Sequence, residues 1–265
     1  MTDMTVPDYT PLCPAGVTEL TLTVTAEQTD GSGRMRLDAL AHAMELATRE
    51  QFQSHGWTKQ TFDNQNLVWV IAWTSIQIMR LPRENEPIRL RVWAGRKKLS
   101  MHVRKYAVYT ASGEPLASTA SLFLLMDKEK RTLAPQTAAP DFPEVTLPGE
   151  AEIPTMRLPF PENPANHRTR TVSAGEIDSN GHMNNACYLA WADELCGPAY
   201  RANHAPRSVW VQYTKELKEG QTAALEFGME RDRLLVRAAS DGAEAFLAAI
   251  QYRKCNCSAP ASLGC

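Results

Sequence analysis

One polar pattern stands twice in this chain, and each time it opens an apolar run of helical period. "DGSGRMRLDALAHAMEL" occupies residues 30–46 and "DSNGHMNNACYLAWADE" occupies 178–194. At one constant offset Asp30 faces Asp178, Gly33 faces Gly181 and Met35 faces Met183. Each copy follows a β-like run, 17–28 in the first case and 167–177 in the second. Each enters a predicted helix, marked by Leu37, Leu40 and Met44 or by Tyr188, Trp191 and Leu195. A repeat of this span requires two similar structural units in one chain.

The rest of each half follows the same plan. The first predicts strands at 67–79, 88–95, 101–110 and 116–126, and the second at 208–217, 222–230, 233–240 and 243–253. "ASGE" (111–114) and "SDGA" (240–243) are the matching hairpin turns. A helix with one apolar face needs a sheet to cover it. The predicted class is therefore α+β, with an antiparallel sheet wrapped around one long helix in each unit. Two such units side by side would make one larger sheet. At 43% hydrophobic and 22% charged residues, the composition supports a sizeable core. Eight prolines between Pro135 and Pro164 make 134–166 a linker, ordered or semi-rigid, because proline withholds a ladder donor. The expected divisions are 1–133, 134–166 and 167–265.

A net charge of −2 argues against a nucleic-acid partner. The start has no apolar signal segment, and runs such as "LVWVIAW" (67–73) are too short to span a bilayer. The six cysteines do not form a disulfide framework, and "CNCSAPASLGC" (255–265) lacks the spaced fourth ligand of a zinc site. The expectations are a frayed tail, a cytoplasmic setting, no metal and no cofactor, with a homodimer left open.

Asp178, Asn180, His182, Asn184 and Asn185 crowd the mouth of the second helix. Turn and cap chemistry would account for Asp and Asn there. So would an active site. A helix N-terminus offers unpaired N–H groups, glycine allows close approach, and histidine shuttles protons near neutral pH. Gly181, Met183 and Asn184 are thus candidate oxyanion donors. The first copy has Ser32 in place of Asn180 and Arg34 in place of His182, and its strand 69–81 holds no Asp or Glu. The second half should therefore do the chemistry, and the first the binding.

"DSNGHMNNACYLAW" with "VQYTKEL", in a tandem of this kind, resembles the double hot-dog fold of acyl-acyl carrier protein (ACP) thioesterases from about residue 17 to 253. "NLVWVIAWTSIQIMRLP" resembles that family's strand in the N-terminal unit, and the chain looks like a bacterial-type member. The resemblance implies hydrolysis of fatty acyl-ACP to free fatty acid and ACP, with Asp178, Asn180, His182 and Glu216 as the catalytic set. Asp178 or Glu216 would be base or nucleophile, and the residues leave that choice open. Some members carry a cysteine after the glutamate, where this chain has Leu217, and Cys187 and Cys196 read as buried small hydrophobes. The resemblance also implies an acyl tunnel in the first unit, with Met44, Phe52, Trp69, Trp73 and Met79 as candidate walls, and Trp57 and Phe62 beside them. The basic run 95–105 supplies Arg96, Lys97, Lys98, Arg104 and Lys105 as candidate docking residues for acidic ACP. An acyl-CoA thioesterase and a non-catalytic acyl-thioester binder are the alternative readings.

Overall fold

Residues 37–54 contain neither proline nor glycine and set Leu37, Leu40, Met44 and Ala47 on one side. They form helix α1 (Leu37–Ser54), which buries that side and stops at Gly56, whose φ of 77° reverses the chain. The computed structural model describes residues 13–98, 101–153, 157–158, 160 and 164–255. Before α1 comes strand β1 (Val17–Thr23). After it come α2 (Lys59–Asn64), β2 (Leu67–Ile78), β3 (Pro87–Lys98), β4 (Met101–Thr110), β5 (Pro115–Asp127) and the short β6 (Thr132–Leu133). The second unit runs β7 (Asn166–Thr171), α3 (Asn185–Glu194), α4 (Pro198–Asn203), β8 (His204–Tyr213), β9 (Thr222–Glu230), β10 (Arg233–Ser240) and β11 (Ala243–Lys254).

The strands form one eleven-stranded antiparallel sheet in the order β1-β3-β4-β5-β2-β8-β11-β10-β9-β7, with β6 on β5. The halves join where β2 pairs with β8, from Trp73 opposite Gln212 to Gln77 opposite Ser208. Helices α1 and α3 pack on each other, and one core cluster runs through both units, from Leu40, Ile76 and Leu90 to Trp191, Val209 and Phe246. Each such fully buried side chain contributes about 1.5–3 kcal/mol, so this shared core outweighs the short strand pairing in holding the units together.

The predicted elements form, but the runs 17–28 and 167–177 leave the sheet at Thr23 and Thr171 for short 3-10 turns, and three further differences bear on the site. The second helix has only ten residues, because Gly197 and Pro198 end it and start α4. Strand β8 ends at Tyr213, so Glu216 sits on the loop beyond it. The proline-rich segment is a strap over its first part. Val145 N–H donates to Ala94 O, Lys105 Nζ donates to Ala151 O, and Phe142 is buried against the first unit. The tail beyond Cys255 lies outside the described residues. Among those that are described, no helix is long and apolar enough to cross a membrane.

Arg34 shows what the first copy's loop became. The residue is 9% exposed, and its side chain donates to Arg201 O at 2.6 Å and His204 O at 3.3 Å, tying the first unit to the second. Arg34→Ala strands these carbonyls and should cost about 1–3 kcal/mol in urea unfolding. Arg233→Ala, which loses only an exposed pair with Glu230, should cost well under about 1 kcal/mol. Equal losses for the two variants would rule the staple out.

Candidate active site

The loop 178–184 is shaped by one carboxylate. Asp178 Oδ1 accepts from the backbone N–H of Asn180 at 2.8 Å and of His182 at 3.3 Å. Asp178 N–H donates to His182 O at 2.8 Å, and Gly181 turns the corner at φ 80°. Met183 N–H then donates to Leu217 O at 2.7 Å, which draws in the loop that carries Glu216. The outcome is His182 Nε2 placed 3.4 Å from Glu216 Oε2, both partly exposed. Asn184 caps α3 by accepting from Ala186 N–H at 2.7 Å, and its Nδ2 donates to Glu45 of α1 at 3.0 Å.

The first copy repeats this geometry without the chemistry. Asp30 Oδ1 accepts from Ser32 N–H at 2.8 Å and Arg34 N–H at 3.1 Å. Asp30 N–H donates to Arg34 O, and Met35 N–H donates to Pro82 O, both at 2.8 Å. Leu81 thus stands where the second copy has Glu216. The aspartate makes the same backbone bonds in a loop that has lost its amide, imidazole and glutamate. Its shared task is loop geometry.

The expected oxyanion donors do not serve. The N–H groups of Gly181, Met183 and Asn184 are committed to Asp178 O, Leu217 O and Glu176 O, and Met183 is buried. Asn185, for which the sequence leaves cap and site open, faces the cleft. Its backbone N–H and side-chain amide have no hydrogen-bond partner among the described residues. The sequence also gives no hint of Arg131, which crosses from the turn between β5 and β6 and donates to Glu216 Oε2 at 2.8 Å. Burial pushes the Cys187 thiol up to about 11 and raises that of Cys196, so neither supplies a thiolate near neutral pH.

A cavity of about 400 Å³ lies between α1 and the sheet of the first unit, lined by Met44, Phe52, Trp57, Phe62 and Trp69. It opens into a second cleft that holds Asp178, His182 and Glu216, and Trp69, Ile71, Asn180, Asn185 and Tyr213 belong to both. Two expected wall residues lie elsewhere. A bulge between Ile71 and Trp73 re-phases β2, so Thr74 takes the cavity side in place of Trp73. Met79, at the far end of β2, is 42% exposed. Two expected docking residues are also lost: Arg104 and Lys105 are buried, the lysine bonded to the strap. Arg96 and Lys97 are exposed and Lys98 partly so.

Two helix-wrapping sheets fused edge to edge, with one polar loop at the mouth of an apolar cavity, define a tandem hot-dog protein. "Acyl-ACP thioesterase N-terminal domain" matches residues 17–142 and "Acyl-ACP thioesterase C-terminal domain" matches 162–254. The chain belongs to the acyl-ACP thioesterase family. A putative oleoyl thioesterase from Lactobacillus plantarum is 25% identical at a TM-score of 0.78, over 91% of this chain and 97% of that one. The 12:0-ACP thioesterase from Umbellularia californica is 20% identical at 0.79, over 91% and 99%. Oleoyl-acyl carrier protein thioesterase 2, chloroplastic, from Arabidopsis thaliana is 22% identical over 181 residues, 63% of this chain and 49% of that protein. The chain spans about half the length of the curated relatives it matches.

Asp178→Asn keeps the Oδ1 acceptor and with it the loop, so turnover should fall less than about ten-fold. Glu216→Gln and His182→Ala should each fall about a hundred-fold or more, the scale of a lost acid–base group. Steady-state kcat of folded variants decides. A loss in Asp178→Asn as deep as in Glu216→Gln would return the aspartate to the chemistry.

Proposed function

We propose that the protein hydrolyses fatty acyl-ACP thioesters to free fatty acid and ACP. One observation carries the reading: the acyl-sized cavity of the first unit and the His182–Glu216 pair of the second open into one another through Trp69, Asn180 and Asn185. A chain lying in the cavity brings its carbonyl to that junction.

The chemistry then follows from the groups in place. Asn180 Nδ2 leans on Asp178 Oδ2 at 3.3 Å, which leaves its carbonyl oxygen to hold a water. Glu216 and His182 take that water's proton as its oxygen bonds to the thioester carbon. Asn185 N–H, at the positive end of α3, meets the developing oxyanion. The C–S bond breaks and the thiolate leaves, a good leaving group that needs little help. The proton held by the pair returns to the sulfur. Asp178 holds the loop and takes no proton. Arg131 keeps Glu216 in place from the other unit.

The cleft's rim favours an acidic partner. Lys59, Lys128, Arg131, Lys215 and Lys218 surround it. Lys97 belongs to the same end of the sheet, since it acts on His102, which packs edge-on against Trp69. An acyl-CoA substrate and non-catalytic binding are the competing readings, and thiol release from palmitoyl-ACP beside palmitoyl-CoA separates all three. The expected result is faster release from palmitoyl-ACP, and equal or greater release from palmitoyl-CoA would overturn it. Lys218→Glu should raise KM for acyl-ACP several-fold with kcat kept, and added salt should raise wild-type KM. A KM indifferent to both would place docking elsewhere. The Cys187→Ala/Cys196→Ala double variant should stay within a few-fold of wild-type activity, and full loss in the folded protein would revive a thiol mechanism.

A further inference from the structure

Beside the acyl cavity, behind Phe52, lies a cation. Arg104 of β4 is 5% exposed and has no carboxylate at ion-pair distance among the described residues. Its row across the sheet continues through Ser121 of β5 to Thr74 of β2, and both of those line the cavity. So does Tyr106, two residues along β4 on the same face. So does Phe52, whose ring the guanidinium covers at 4.7 Å. Arg104 also meets the ring of Phe142, from the strap, at 4.1 Å, and the two rings pack edge to face with centroids 5.3 Å apart. Gln51 Oε1 accepts from Nη1 at 2.5 Å, and Gln51 is itself fully buried and donates to Gly16 O and Val92 O. The guanidinium is thus fixed on the same sheet face as the residues that meet the acyl chain, behind the ring of Phe52.

An apolar side chain would be the simpler way to close a fatty cavity, since a buried unpaired charge is among the costliest groups to hold. Here two aromatic faces and one amide stand in for the missing carboxylate. We propose that Arg104 is a specificity-determining residue that ends the acyl path by charge, with Phe52 as its cover. A methyl terminus that pushes past Phe52 removes the ring from the guanidinium and offers nothing in exchange. A saturated chain therefore stops at Phe52 even where the ring has room to shift. This inference rests on the acyl-thioester reading of the cavity.

The test compares Arg104→Met, Arg104→Lys, Phe52→Ala and the Phe52→Ala/Arg104→Met pair on saturated acyl-ACPs of graded length. Arg104→Met keeps the bulk and removes the charge. It should raise kcat/KM for the chain two carbons longer, relative to the wild-type optimum, by about ten-fold, the worth of two buried methylenes. Phe52→Ala and Arg104→Lys, with the charge in place, should keep the wild-type optimum, and the double variant should lengthen it further. A longer optimum in Phe52→Ala, or an unchanged one in folded Arg104→Met, would overturn the proposal. Quenching of tryptophan fluorescence by free saturated fatty acids of graded length reads the same end of the cavity without turnover. If no acyl-ACP is hydrolysed, the enzymatic reading fails, and the fatty-acid profile still decides the role of Arg104. Should Arg104→Met not fold, a lengthened profile in Phe52→Ala suffices to overturn it.

Discussion

The pairing of β2 with β8 fixes the register in which the two units share their core. Five residues of each strand, Trp73–Gln77 and Ser208–Gln212, turn two half-sheets into one. That pairing sets α1 beside α3 and so merges two cores that would otherwise each face solvent on one flank. It also aligns the cavity under the first helix with the polar loop at the mouth of the second. The cavity residues and the polar loop are encoded far apart in the chain, and the joined sheet and shared core bring them together.

Duplication gives the molecule an internal control. Asp30 and Asp178 hold the same two backbone N–H groups, yet only one of these loops carries an imidazole and a facing carboxylate. What the two loops share is therefore architecture, and what they do not share marks the chemistry. Position by position the difference is Ser32 for Asn180, Arg34 for His182 and Leu81 for Glu216. The third member follows from the matched hydrogen bonds of Met35 and Met183, because Pro82 and Leu217 are the equivalent acceptors.

The repeat, the helix starts and the hairpins were legible because each leaves a local mark: apolar period, a glycine at a corner, a polar residue at a cap. Met44, Phe52 and Trp69 line the cavity as the family resemblance implies, although by residue type alone each reads equally as core. Trp73 was misread because a bulge shifts the strand's alternation by one residue, and nothing in "VIAWTS" announces it. Arg104 and Lys105 looked like surface charge because burial of a cation depends on partners remote in sequence, Gln51, Phe142 and Ala151. The N–H groups of Gly181, Met183 and Asn184 read as available for a similar reason: the loop's closure onto Asp178, Leu217 and Glu176 occupies them, and those partners leave no mark in the motif itself. Arg131 left no trace, because a contact between units has no sequence period.

The Arg34 staple has a consequence for the first loop. With Arg34 at the position equivalent to His182 acting as a bolt between the units, no single substitution gives the first loop the polar set of the second. Restoring an imidazole there would leave the carbonyls of Arg201 and His204 without their donor, while the glutamate still missing at Leu81 would keep the revived loop inactive. The asymmetry of the two loops is therefore held in place by the fold itself, because the residue that differs at the histidine position also bolts the two units together.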